Sequence, residues 1–489
     1  MHHIRPLLFW SFITTFFILS SLVVFYAFGY RFNFERGIFI YTGSISIKSN
    51  PENVSIKVDG KMIPEQNLSI LNDSILIAGL TPGEHFIEVS APNYSVWSKK
   101  ALVQSGLSTE FWNVLLAQDP PPLTTIASTN PILKIFPAPD ENLFAVAKNN
   151  NAGDLIIDTL DTSTNVQTGV FALPQVALAQ NDENIEWSPN NTKLIIPLEH
   201  TPEGTERSYS IVNVENKKLA TLQVPTPQEH SLSNPRWDST TRNFIFYLRG
   251  TTLYRANTEA LLEPPVLVKE NIRAYDISGS SIYYLNQDNG IIYRVPADRT
   301  DTTPTQITTA AINTADHGTY SIVVYDESRI AIREKTQGKL FIYNKSSPSE
   351  IKLKPLAERG IRGVQFSNDG KKLLFFSDNE INVYFTLPWE AQPLREADTI
   401  LQVARFSNPI KNIQWTKDYE HVLFTGNQSA KIVELDNRDR RNITQIATFA
   451  SPITQTLSRF ENNQVYFTLE DGSAHWIEFP NPQNNIFGF

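Results

Sequence analysis

The chain has 489 residues, 41% of them hydrophobic and 19% charged, which supplies a sizeable core for roughly two to four domains and excludes a disordered protein. A formal net charge of -9 excludes a dominant phosphate-tracking surface, so no nucleic-acid partner is expected. Zero cysteines exclude a disulfide framework, a thiolate metal site and a cysteine nucleophile.

A short tail over residues 1–6 precedes LLFWSFITTFFILSSLVVFYAF (7–28), which carries no charge. At about 1.5 Å per residue it spans roughly 33 Å, enough for a bilayer's hydrocarbon core, and predicts a transmembrane helix over 7–29 acting as a signal anchor. Trp10 near one end and Tyr26 and Tyr30 near the other suit the headgroup level. A signal peptide cleaved after Ala27-Phe28-Gly29 is the alternative. The apolar stretch exceeds the roughly 7–15 residues of a usual signal core, which favours the uncleaved anchor. Arg5 precedes the helix while Arg31 and Arg36 follow it, so charge alone does not set the orientation.

After a juxtamembrane stretch (30–42) the pattern turns to period two. Ile45 and Ile47, then Val54, Ile56 and Val58, alternate with polar residues, and apolar runs follow at 74–80, 84–91, 95–103 and 108–117. Turn signals stand between them at Asn50-Pro51, Asp59-Gly60 and Thr81-Pro82-Gly83. The spacing predicts a compact antiparallel β-unit over 43–118, with Pro51, Asp59, Gly60 and Gly83 setting turns. SISIKSNPENVSIKVDGK followed by GLTPGEHFIEVSAPNY resembles a PEGA domain, with Pro51-Glu52-Asn53-Val54 in the place of the name-giving Pro-Glu-Gly-Ala. Asn53 for glycine is a mild departure, because Asn readily adopts positive φ. The resemblance implies a small β-sandwich, a surface or envelope location, and a spacer or adhesion role.

Asp119-Pro120-Pro121-Pro122 predicts a Pro-rich linker over 119–122. Over 123–489 a unit recurs in which a strand ends on an aromatic, a polar turn intervenes and a second strand begins, as in IEWSPNNTKLIIPL (185–198), VQFSNDGKKLLFFS (364–377) and IQWTKDYEHVLFTG (413–426). The anchoring aromatics are Phe136, Trp187, Trp237, Tyr275, Tyr325, Phe366, Trp415 and Phe460, at a mean spacing of about 46 residues. The spacing predicts a β-propeller, eight blades being favoured and seven the alternative. The last unit is one strand short, so residues 123–128 are expected to close the circle from the front. The FSNDGKKL and WSPNNTKL signatures resemble TolB-type and related WD-like propellers, which implies the architecture more than an activity.

Assembled chemistry is not legible. There is no G-x-S-x-G elbow, no Walker loop and no G-x-G-x-x-G, and the histidines at 2, 3, 85, 200, 230, 317, 421 and 475 lack zinc-ligand spacing. No catalytic, metal or cofactor residues are therefore assigned, and no cofactor is expected. Ser367-Asn368-Asp369-Gly370 approaches a sialidase box without its downstream Trp. DNRDRRN (436–442) reads as a solvated loop, with Arg438, Arg440 and Arg441 as possible acidic-ligand contacts, and Trp389 as packing beside a strand end. The repeated aromatics are expected to be core.

The sequence thus predicts a mainly β chain with an N-terminal transmembrane helix, a PEGA-like sandwich and a propeller. The expected role is a membrane-anchored, surface-exposed, non-enzymatic scaffold or binding protein of the cell envelope, single-pass in the cytoplasmic membrane with its bulk outside, engaging protein or polysaccharide. A propeller glycosidase or other hydrolase acting on envelope glycans is one alternative, since carboxylates can meet across blades. A cleaved periplasmic TolB-like assembly factor is the other.

Overall fold

The computed structural model describes every residue except 1–3, 34–36, 65–67, 70–73, 141, 151, 162–166, 180–184, 201–206, 223–231, 300–301, 315–317, 461–462 and 480–489. Helix α1 (Ile4–Ala27) opens the chain, and its apolar stretch Leu8–Ala27 is long and apolar enough to cross a membrane, with 0% of it buried against the rest of the protein. Residues 30–42 hold paired strands. Strands β1 (Tyr30–Asn33) and β2 (Ile38–Tyr41) pair as an antiparallel hairpin.

Two four-stranded sheets then face each other, as the alternating pattern requires. One holds, in spatial order, β10 (Ser108–Leu115), β3 (Gly43–Asn50), β7 (Ser74–Leu80) and β6 (Leu68–Ser69). The other holds β5 (Lys61–Met62), β4 (Ser55–Val58), β8 (Gly83–Ser90) and β9 (Trp97–Val103). Ile45, Ile47, Ile56, Val58, Ile87, Val89 and Phe111 meet between them in one buried cluster. The expectation of a purely antiparallel unit is corrected here, because β10 runs parallel to β3, from Ser108 opposite Ser44 to Leu115 opposite Asn50. β9 and β10 belong to opposite sheets, so the turn joining them carries the chain across the core instead of back along its own sheet.

Beyond residue 123 the described residues form eight successive antiparallel sheets, spanning 132–173, 176–222, 232–269, 272–306, 320–357, 363–405, 411–448 and 453–478. Each expected aromatic lies in, or directly after, an early strand of its own sheet. Every sheet shares a buried apolar cluster with the next. The eighth also packs on the first, through Phe144 and Val146 against Tyr466 and Ala474, so the sheets close into a ring. The missing strand comes from the front, as expected: Thr124–Thr125 pairs antiparallel with Trp476 and His475. Closure covers the apolar faces that the first and last sheets of a linear array would expose, leaving only the short edges of each sheet.

The anchoring aromatics do more than fill space. The Trp187 indole donates to the Phe136 carbonyl at 3.1 Å, Trp237 to Glu186 at 2.9 Å, Trp415 to Gln365 at 3.2 Å, and the Tyr275 hydroxyl to Asn234 at 2.6 Å. Each bond runs from one sheet to the sheet before it. A buried polar tip needs a partner, and these rings find it across the sheet boundary, which fixes sheet order as well as packing.

Candidate functional site

The most elaborate polar assembly in the described residues is the joint between the sandwich and the ring. β9 buries Trp97, Lys99, Ala101 and Val103 along one row, so Lys99 occupies a position its alternation reserves for an apolar side chain. A buried ammonium requires compensation. Lys99 Nζ lies 2.6 Å from Glu434 Oε1 and 3.5 Å from Asp436 Oδ1, and it donates to the Asp436 carbonyl at 2.8 Å. The remaining capacity of Glu434 is taken up by the Trp97 indole at 3.0 Å and by the backbone and side-chain nitrogens of Asn442.

The 436–442 segment corrects in part the expectation of a solvated loop: Asn437, Asp439 and Arg440 are exposed, but the segment also bonds to the sandwich. Arg438 pairs with Asp436 at 2.6 Å, donates to the Glu110 carbonyl at 2.7 Å and lies 4.2 Å over the Phe111 ring. Arg440 donates to Ser98 Oγ at 2.9 Å, and Asp439 accepts the Lys100 amide at 3.0 Å. Burial works against the Asp436 carboxylate, yet the Arg438 hydrogen bonds and the Lys99 charge hold its pKa below the usual range.

A second contact lies alongside. Trp389 is buried, as expected of packing, with its ring centroid 5.9 Å from Trp112 and Lys372 Nζ 3.7 Å over its face. Gln392 acts as a short extra strand residue: its side chain accepts the Glu110 amide and donates to the Ser108 carbonyl, both at 3.0 Å, and its own carbonyl accepts from the Trp112 indole.

Behind the joint, the seventh sheet holds buried charges that spacing alone did not reveal. Lys372 pairs with Glu420, and His421 Nδ1 lies 2.6 Å from Asp418. Burial opposes ionisation of Asp418, but the His421 charge and the hydrogen bonds from His421, Thr416 and the Glu420 backbone hold its pKa at about 2. Burial likewise opposes the His421 imidazolium, and Asp418 overrides it to raise the pKa. Glu420 is pushed up by burial, against the pull of Lys372. A sequence signal for these cations exists in hindsight: Lys193, Lys372 and His421 each stand six positions after an anchoring aromatic, and Lys193 reaches the next sheet's Glu259 as Lys372 reaches Glu420.

The turn residues singled out by motif are structural. Ser367 Oγ donates to Asp369 and accepts the Lys372 amide, as Ser188 does with Asn190 and Lys193. His85 bridges Asp59 and the Thr81 carbonyl, and His475 lies beside Thr125 at the closing strand. His2, His3, His230 and His317 lie outside the described residues. Among the described residues no group of three or more His, Asp or Glu is placed to hold a metal. The buried carboxylates Asp158, Asp238, Asp276, Glu420, Glu434 and Asp436 each face a Lys or Arg, Glu334 accepts the Thr336 and Gln337 amides, and Asp418 faces His421. Open surface suited to contact lies between the fifth and sixth sheets, where a cleft of ≈ 760 Å³ is lined by Gln337, Arg359, Asn379, Glu380, Arg405 and Phe406 among others.

The PEGA domain family matches residues 42–116. No curated protein matches the chain. Among solved structures, the C-terminal WD40 domain of Sif2 is similar at 12% identity, covering 73% of this chain and 99% of that one with a TM-score of 0.49. The Dos1 propeller is similar at 12% identity, covering 73% and 94% with a TM-score of 0.48. Kluyveromyces lactis Hsv2 is similar at 12% identity, covering 65% and 98% with a TM-score of 0.38. Likenesses this distant carry no argument about activity, and the ring described above stands on its own sheets.

Proposed function

We propose that this chain is a membrane-anchored, non-enzymatic scaffold of the cell envelope, whose ring engages a protein or polysaccharide partner outside the cytoplasmic membrane. The observation that carries the proposal is the buried joint at Lys99, Glu434 and Arg438. A flexible tether needs no such assembly. A joint that buries an ammonium and two carboxylates makes sense where one body must be held at a fixed attitude to another. The sandwich that carries this joint follows, after a short hairpin, an apolar helix with no residue of its Leu8–Ala27 stretch buried by protein. Lipid is the natural cover for such a helix. The PEGA-like match supports an exterior location, and the open polar cleft between the fifth and sixth sheets supports a macromolecular partner more than a small substrate.

Protease treatment of intact cells, with the mature protein sized on the same blot, tests this directly. Digestion of the ring from outside with an uncleaved N-terminus is expected. Protection until the membrane is broken would place the ring in the cytosol and overturn the proposal, and a shortened mature chain would replace the anchor by a cleaved leader.

A further inference from the structure

The hairpin of β1 and β2 has a composition that water does not favour. Its register sets Tyr30 opposite Tyr41 and Phe32 opposite Phe39, so one face is a ladder of four rings. Tyr30 and Tyr41 stack at 4.9 Å between centroids, and Phe32 meets Phe39 edge-on at 5.2 Å. Phe25, in the last turns of α1, extends the ladder to the helix, 5.4 Å from Tyr30 and 5.9 Å from Phe39. Despite these contacts Phe32, Ile38, Phe39 and Tyr41 remain 41% to 53% exposed, and Phe28 is 70% exposed. An isolated two-stranded hairpin is marginal in water, and one with this much uncovered apolar surface requires another phase or another protein against it.

The hairpin is also held in place at both ends. Arg31 donates to the Tyr26 carbonyl at 2.8 Å, which also accepts the Gly29 amide at the end of the helix, and lies 3.4 Å over the Tyr26 ring. Thr42 donates to the Gly29 carbonyl through both its amide and its hydroxyl. On the sandwich side, Gly106 donates to the Thr42 carbonyl, and a Cβ at Gly106 would fall 2.5 Å from the Tyr41 ring. Glycine is required there because the ring lies against the bare backbone.

We infer that the Tyr30–Tyr41 hairpin is a lipid-contacting collar, seated in the headgroup layer, that fixes the height of the sandwich above the membrane. This rests on the membrane-anchor reading. The occupant follows from length: Leu8–Ala27, 20 residues at about 1.5 Å each, fills a hydrocarbon core of about 30 Å, so the membrane boundary falls at Ala27 and the hairpin starts three residues beyond it. Tyr rings match the chemistry of that layer, where aromatic side chains with polar tips concentrate.

The absence of native cysteine makes the test clean. The full chain would carry a single nitroxide at Thr15→Cys in the helix, Phe39→Cys in the hairpin or Lys57→Cys on the sandwich, in vesicles of phosphatidylcholine and phosphatidylglycerol. Collision with oxygen, which partitions into lipid, would be compared with collision with a water-soluble nickel chelate. An oxygen-to-nickel ratio at position 39 between those at 15 and 57 is expected. A ratio at 39 equal to that at 57 would overturn the collar while leaving the anchor standing, and low access to both reagents at 39 would overturn it in favour of a second copy or a protein partner. Free access of nickel at position 15 would overturn the anchor itself. Ile38→Cys, outside the aromatic ladder, repeats the reading without removing a ring.

Discussion

Gln455 of the eighth sheet grips Ile135 of the first by both of its backbone polar groups: its side-chain oxygen accepts the Ile135 amide, and its side-chain nitrogen donates to the Ile135 carbonyl, both at 2.9 Å. The primary amide takes the place of a strand residue and ties two sheets 320 positions apart. Gln414 repeats the device between the seventh and eighth sheets, donating to the Thr456 carbonyl and accepting the Ser458 amide.

Gln455→Leu keeps the volume and strands both Ile135 groups. Each buried unsatisfied group costs about 1–3 kcal/mol. Hydrogen exchange at the Ile135 amide is expected to accelerate while amides in the fourth sheet keep their protection. Equal acceleration in both places would mean that the closure has no local role.

Lys99→Met leaves Glu434 without its buried cation, while Asp436 keeps Arg438, and breaking such a pair on one side costs about 3–5 kcal/mol. Urea unfolding of the detergent-solubilised chain is expected to show that loss. Adding Glu434→Gln to Lys99→Met should recover part of it, because the uncompensated charge is then gone. A loss below about 1 kcal/mol would identify the joint as an exposed, screened contact.

Trp112 and Trp389 should couple. A double-mutant cycle to Leu at both positions is expected to return about 0.5–1.5 kcal/mol beyond the lost area. Additive single effects would show that the rings touch without recognising each other.

The Asp418–His421 pair sets opposite pH limits on the seventh sheet. Asp418 falls from 3.8 to about 2 on folding, so its contribution is present above pH 3.8 and is lost as pH falls toward 2. His421 rises above 6.5 on folding, so its contribution is complete below that pH and is lost as pH climbs through the raised value. Glu420, raised from 4.5 by burial, also disfavours high pH. Thermal unfolding midpoints are expected to decline on the alkaline side, and His421→Gln should flatten the decline above pH 6.5. An unchanged alkaline slope in that variant would remove His421 from the account.

Much of the architecture was legible because it is local. Period-two burial along Gly43–Asn50, turn chemistry at Asp59-Gly60 and one aromatic per repeat from Phe136 to Phe460 are properties of short segments, and strand geometry converts them directly into strands and turns. Even the closing strand followed from a count of strands in the last unit, and Thr124–Thr125 supplies it. The direction of β10 was not legible. A crossover between sheets leaves the same alternation as a hairpin return.

The sequence by itself determined the apolar helix, the strand-rich sandwich and the repeating sheets, since each depends on neighbours a few residues apart. Only the tertiary structure decided that Trp97 meets Glu434, 337 positions away, and that DNRDRRN is a latch instead of a solvated loop. Alternating charges look the same in sequence whether water or Ser98, Glu110 and Phe111 will cover them. The difference is contact, which buries Asp436 and half-buries Arg438 only once the sandwich and the ring have come together.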